Sequence, residues 1–142
     1  MKRIIPLIAL VTIFGCVTTQ TPDYIKTSNH PYVRKINGNY EDIINTIKVV
    51  LFKEHWQVKA QINPSVYERR EGGEDQSKDV LFFTDLKKSI TASEHLNIYV
   101  HAIADGAEVE IRYESFGPVM RNIRNDKLGN HLLDKIEQEL SE

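Results

Sequence analysis

Between residues 40 and 51, apolar residues recur every three or four positions, a spacing that places them on one side of a helix. They are Tyr40, Ile43, Ile44, Ile47, Val50 and Leu51. Asn39 precedes the run, and its side-chain oxygen can accept hydrogen bonds from the free N–H groups of a helix N-terminus. The pattern predicts an amphipathic helix over residues 40–55.

The hydrophobic period then changes to two, which is typical of β-strands with one buried face. The residues Trp56, Val58, Ala60 and Ile62 alternate with polar residues. Residues 65–70 fit a short or edge strand after a proline, and the polar residues 71–78 predict a loop. Residues 80–86 are mostly apolar and predict a strand that is partly covered on both faces.

Two further alternating runs, which begin at Leu96 and Val109, flank the dipeptide Asp105-Gly106. Asp and Gly tolerate the positive φ angles that a two-residue hairpin turn requires at its central positions. The combination predicts a β-hairpin. The polar positions of its second strand are expected to face solvent.

A last helix is predicted after Asn125, a second N-cap residue. Its apolar stripe comprises Leu128, Leu132, Ile136 and Leu140. The order helix, strands, helix predicts an α+β fold, a two-layer sandwich in which an antiparallel sheet of about four strands carries both helices on one face. The opposite face is expected to be exposed, so that substitutions such as Arg112→Ala cost little stability. That face would carry Lys59, Glu108, Glu110 and Arg112.

The first sixteen residues have the layout of an export signal that ends in a lipidation site. Lys2 and Arg3 precede an apolar run that would rise only about 16 Å as a helix, well short of the roughly 30 Å hydrocarbon core of a bilayer. The run ends in Ile13-Phe14-Gly15-Cys16, which resembles a bacterial lipobox. We expect residues 1–15 to be a signal peptide and Cys16 to carry lipid. The alternative is an ordinary signal peptide followed by an incidental cysteine.

Residues 17–37 lack a sustained helix or strand period and contain Pro22 and Pro31. We interpret residues 16–37 as a lipidated N-terminus with a flexible tether, whose last third is ordered if Tyr32 packs on the domain of residues 38–142. Val17 stands where an Asp would favour retention at the inner membrane. The lipobox resemblance therefore implies the periplasmic face of the outer membrane.

Composition and charge narrow the function classes. Removing Lys2 and Arg3, and no acidic residue, takes the formal net charge from −2 to −4, which disfavours nucleic acid as a partner. The only cysteine is Cys16, so the domain must be held by its core without disulfides.

The residues that could carry chemistry form no recognised motif. His95 and His101 lie six positions apart on one predicted strand, roughly 20 Å, which is too far to share a metal ion. Glu108 and Glu110 are about 7 Å apart, a separation used in glycoside hydrolysis, but on an exposed face and not in a cleft. We therefore expect no catalytic residue, no metal and no cofactor. The candidate interaction face comprises Tyr99, His101, Glu108, Glu110 and Arg112.

Three segments carry a family resemblance: the helix that ends into Trp56-Gln57-Val58, the hairpin LNIYVHAIADGAEVEIRYE and the closing helix NDKLGNHLLDKIEQEL. Their pattern resembles the small α+β domains of Gram-negative outer-membrane lipoproteins, such as the helix-grip modules of the Bam-complex lipoprotein C. No catalytic or ligand motif comes with it. We expect a non-enzymatic protein-interaction or scaffold module with a protein partner in the envelope. The alternative is a lipoprotein that binds a small apolar ligand between its helices and sheet.

Overall fold

A computed structural model describes residues 24–26, 32–118, 121–122 and 125–142 of the chain. It confirms an α+β fold with one antiparallel sheet and two helices. The strands are β1 (Tyr32–Asn37), β2 (Gln57–Ile62), β3 (Val80–Lys87), β4 (Ser93–Ile103), β5 (Gly106–Phe116) and the short β6 (Arg121–Asn122), and the helices are α1 (Tyr40–Lys53) and α2 (Asp126–Ser141). The predicted signal peptide and Cys16 lie outside the described residues.

The sheet has the order β1-β5-β4-β3-β2, and β6 also pairs with β5. It is thus larger than the predicted sheet of about four strands, partly because residues 32–37, predicted as the end of the tether, form β1. This strand pairs with β5 from Tyr32 opposite Ile111 to Asn37 opposite Gly106. The last third of the predicted tether, for which order on the domain was left open, thus belongs to the sheet, because hydrogen bonds to a distant strand order a segment whose own period is weak.

Both helices pack on the same face of the sheet, as predicted. Asn39 and Asn125 cap them by accepting hydrogen bonds from N–H groups of the first turn. The core between the layers contains Ile43, Ile44, Ile47 and Leu51 of α1, Leu132, Leu133 and Ile136 of α2, and Phe82, Leu96, Ile98, Val100, Val109 and Ile111 of the sheet. The stripe predicted for α1 is buried, apart from Tyr40, which is partly buried. In α2, Leu132 and Ile136 are buried as predicted, whereas Leu128 and Leu140 are only partly buried and Leu133, outside the predicted stripe, is buried.

The predicted hairpin is confirmed, but its turn lies one residue earlier than expected. Ile103 pairs with Gly106, so Ala104 and Asp105 are the central turn residues. Gly106 has a φ of 151°, and a Cβ atom at this position would lie 2.0 Å from the carbonyl oxygen of Ile36 in β1. Both the positive φ and the close approach of β1 therefore require glycine here.

Strand β2 departs from the simple alternation predicted for it. A register shift between Val58 and Ala60 marks a β-bulge. Val58 stays on the helix face, where it is 39% exposed. Ala60 and Ile62 instead contact a second apolar cluster on the other face, which contains Leu81 and Phe83.

That other face of the sheet is covered and not open. It is covered by residues 24–26, here called the docked segment, and by the β2–β3 connection of residues 63–79. The connection contains the 3-10 turn Pro64–Val66, and residues 65–70 do not form the predicted short or edge strand. The apolar side chains of Leu81 and Phe83 point away from the helices and require this cover.

Candidate functional site

The five residues predicted as an exposed interaction face lie side by side on β4 and β5, with Tyr99 opposite Glu110 and His101 opposite Glu108. Their predicted exposure is wrong. The exposed fractions of Tyr99, His101 and Arg112 are 4%, 9% and 2%, and the two glutamates are half-buried. The reason is the cover formed by the docked segment and the β2–β3 connection, which buries Tyr99, His101 and Arg112.

Arg112 stands at the centre of a polar network under this cover. Its Nε donates to Glu110 at 2.8 Å, and its Nη2 donates to Glu68 at 2.7 Å. Burial alone would lower the pKa of Arg112, but the hydrogen bonds to these carboxylates outweigh it and raise that pKa. Burial likewise tends to raise the pKa of Glu68, but hydrogen bonds from Arg112 and Tyr24 outweigh it, so that this pKa lies below its ordinary value.

The docked segment is held through both its backbone and its side chains. The N–H of Ile25 donates to the side-chain oxygen of Asn97 at 2.7 Å, and its carbonyl accepts from Arg112 at 3.1 Å. Tyr24 stacks on Tyr67 with ring centroids 4.7 Å apart, and burial together with a hydrogen bond to Glu68 raises the pKa of Tyr24 to about 12. Ile25 itself is 6% exposed. These contacts fasten a piece of the predicted tether to the sheet.

A second polar cluster fastens the β2–β3 connection. Asp79, which is 2% exposed, accepts from the hydroxyl of Tyr99 at 2.9 Å and lies 2.8 Å from the Nδ1 of His101. Gln76 donates to the same tyrosine hydroxyl at 2.6 Å, and Arg70 pairs with Glu108 at 2.8 Å. Burial, followed by the hydrogen bond to Asp79, raises the pKa of Tyr99. The predicted face is thus an internal structural interface.

Beyond the cover, three residues of β3 and β4 form a connected chain of hydrogen bonds. The hydroxyl of Ser93 lies 3.1 Å from the Nε2 of His95, and the Nδ1 of His95 lies 2.6 Å from an oxygen of Asp85. A neutral imidazole satisfies both contacts when Nδ1–H donates to Asp85 and Nε2 accepts from Ser93. Phe116 meets the imidazole edge-on at a centroid distance of 5.3 Å. We call Ser93, His95 and Asp85 the triad.

The triad lines a surface cavity of about 340 Å³. The lining residues are Gln57, Lys59, Asp85, Ser89, Ile90, Thr91, Ala92, Ser93 and His95. Lys59, predicted on the exposed face, lies within the β2 bulge, with its Nζ 2.9 Å from Gln57 and 3.9 Å from Asp85. The cavity is therefore lined mostly by polar side chains, and Ile90 and Ala92 are its apolar lining residues.

The sequence pattern alone relates only two of the three triad residues to each other. The spacing Ser93-x-His95 places both side chains on one face of a strand, and this could have been read from the alternation. Asp85 joins them only through the register that sets it opposite His95. His95 and His101 share a face of β4, as predicted. In the described part of the chain, no group of three or more His, Cys, Asp or Glu residues could hold a metal ion.

The apolar-ligand alternative finds no support in the packing of the described residues. The side chains buried between the helices and the sheet are at most 5% exposed. A surface cavity of about 190 Å³ between α1 and α2 is lined mainly by charged and polar residues.

No family model, no curated protein and no solved structure matches this chain. None of the helices in the described ranges is both long enough and apolar enough to cross a bilayer.

Proposed function

We propose that the chain is an exported lipoprotein, anchored through lipid on Cys16 at the periplasmic face of the outer membrane, whose domain acts as a protein-interaction or scaffold module. The basic n-region, the short apolar run and the Gly15-Cys16 ending support the anchor. Val17 after the cysteine supports the outer membrane. Two or more acyl chains make such anchoring stable.

The observation that carries the proposal is the docked segment. Tyr24 lies eight residues after Cys16, and eight residues of extended chain span at most about 28 Å. Ile25 is fixed on the covered face of the sheet, so the chain that leads from the lipid enters the domain at that face. The helix layer lies on the opposite side of the sheet from this point of attachment. A module attached in this way can present its helix layer to a partner.

The helix layer offers an apolar contact for such a partner. Val49 and Phe52 lie one turn apart on the solvent side of α1 and are 41% and 81% exposed. Large aromatic side chains that are buried on association contribute heavily to binding energy. We assign the partner contact to this pair, with an envelope protein that offers an apolar groove.

Anchoring is tested by fractionation of cells that express Cys16→Ser, with Val17→Ala as the matched control. We expect the control to be lipidated and membrane-bound, whereas Cys16→Ser lacks the lipid mass and is soluble or remains a precursor. A Cys16→Ser protein that matures normally and sediments with membranes would contradict the lipoprotein proposal.

The partner contact is tested by photo-crosslinking in the native membrane, with a benzophenone side chain at Phe52 and, as control, at Asn130 on exposed α2. We expect one adduct at position 52, none at position 130, and loss of the adduct when Val49→Asp is added to a chain that still folds. Equal adducts at both positions, or an adduct indifferent to Val49→Asp, would refute the assignment.

A further inference from the structure

We propose that Ser93, His95 and Asp85 form a hydrolytic site that cleaves short-chain esters. This activity goes beyond the interaction role and does not depend on lipidation or on the partner contact. The expectation of no catalysis rested on the absence of a linear motif, whereas this arrangement is created by strand register.

The geometry meets the two requirements for an activated serine. The nucleophile lies within hydrogen-bond reach of its base, at 3.1 Å from Ser93 to His95, and the base is oriented by a carboxylate, at 2.6 Å from His95 to Asp85. Ser93 uses Nε2 and Asp85 uses Nδ1, which is the connectivity that a serine nucleophile needs. The edge contact with Phe116 restricts rotation of the imidazole. The register also places Glu114 of β5 opposite His95.

The reaction follows directly from these contacts. The Oγ of Ser93 attacks the carbonyl carbon of the ester, and its proton passes to the Nε2 of His95. The carbon–oxygen bond to the alcohol then breaks, and His95 returns the proton to the leaving alkoxide. Water repeats the sequence on the acyl-serine, which releases the carboxylic acid and restores Ser93. Asp85 stabilises the imidazolium that forms in each half.

The cavity indicates the substrate class. About 340 Å³ lies at the low end of ligand-site volumes, so it accommodates a short acyl group. Ala92 and Ile90, which is 95% exposed, are the apolar residues of the lining. Lys59 and the side-chain amide of Gln57 line the same cavity and are the donors available to the developing oxyanion.

A second imidazole–carboxylate pair on the same strand face provides an internal comparison. His101 contacts Asp79 through Nδ1 at 2.8 Å, but its Nε2 lies 3.4 Å from Glu74 and forms no hydrogen bond with a serine of the described ranges. This pair is also buried under the covering connection. The triad is thus distinguished from it by a nucleophile on Nε2 and by access to a cavity, and only the triad is expected to react.

The test uses the full chain purified in detergent, an alkyl fluorophosphonate and p-nitrophenyl butyrate. We expect the phosphonate on Ser93 by peptide mass spectrometry, and hydrolysis that falls about a hundred-fold or more, to background, in Ser93→Ala and His95→Gln. Asp85→Asn should give a partial loss. Ser65→Ala, which removes an exposed serine hydroxyl from another network, should leave labelling and rate unchanged.

Circular dichroism and the thermal midpoint show whether each variant folds. Labelling of the unmodified chain needs no variant and remains informative if a substitution unfolds the protein. A phosphonate found on other residues but not on Ser93 would overturn the proposal. Equal hydrolysis by the unmodified chain and by folded Ser93→Ala would also overturn it.

Discussion

Replacing Arg112 by Ala tests whether the covered face of the sheet holds the domain together. The substitution removes a guanidinium that is 2% exposed and that bonds Glu110, Glu68 and the carbonyl of Ile25. It leaves two carboxylates without their counter-charge and releases the docked segment. The opposite expectation, of little cost, followed from treating this face as solvated.

The magnitude follows from how far water can reach the carboxylates left behind. Breaking a buried ion pair by removing one partner costs about 3–5 kcal/mol. The side chains of Glu68 and Glu110 are 26% and 18% exposed, so solvent screening places Arg112→Ala at the lower end, about 3 kcal/mol. A domain of this size has roughly 5–15 kcal/mol of stability in total.

Arg34→Ala is the matched control, because it removes the same charge from a surface ion pair. The partners of Arg34, Asp134 and Glu137, are 69% and 46% exposed. Exposed pairs contribute about 0–1 kcal/mol, so this variant should be nearly as stable as the unmodified chain.

Urea unfolding followed by circular dichroism measures both variants. With a slope of about 1–3 kcal/mol per molar urea, a loss of about 3 kcal/mol lowers the midpoint by about 1–3 M in Arg112→Ala. Arg112→Lys keeps the charge without the forked geometry and should fall between. Equal midpoints for Arg112→Ala and Arg34→Ala would refute the conclusion that the buried network is structural.

Three further outcomes are expected. Leu132→Ala should cost about 2–5 kcal/mol in urea unfolding, because a side chain that is 1% exposed leaves a cavity, and a cost below 1 kcal/mol would place it outside the core. Gly106→Ala should cost about 3 kcal/mol or more, because the added Cβ would clash with the backbone of Ile36. The control Gly72→Ala has open space around the added Cβ and should cost about 1 kcal/mol, and equal losses in the two variants would refute the close approach. The pKa of Glu68 is lower in the folded than in the unfolded state. Its contribution to stability is therefore present above the unfolded pKa and is lost as pH falls through the folded pKa. If the free energy of unfolding falls with decreasing pH as steeply in Glu68→Gln as in the unmodified chain, this reasoning is contradicted.

The elements and their inward faces could be read from the sequence because their causes are local. Apolar residues at every third or fourth position after an asparagine cap predicted α1 and α2, and strict alternation of apolar and polar residues predicted the β4–β5 hairpin. Each apolar stripe then had one way to be buried, which placed both helices on one face of the sheet. The predicted position of the hairpin turn was wrong by one residue, but this error affected neither the predicted strands nor the faces that they bury.

The candidate sites could not be read in this way, because they depend on residues far apart in the chain. The alternation around Arg112 is that of a solvated face, and only Glu68 and Ile25, brought over the sheet by the fold, make it a buried one. Segments with a weak period of their own, such as β1 and the docked segment, take their structure from the partner that they bind. Asp85 lies beside His95 only because β3 and β4 pair in one particular register. The local pattern determines which face of a strand is apolar, whereas tertiary pairing determines what covers its polar face and which polar groups meet there.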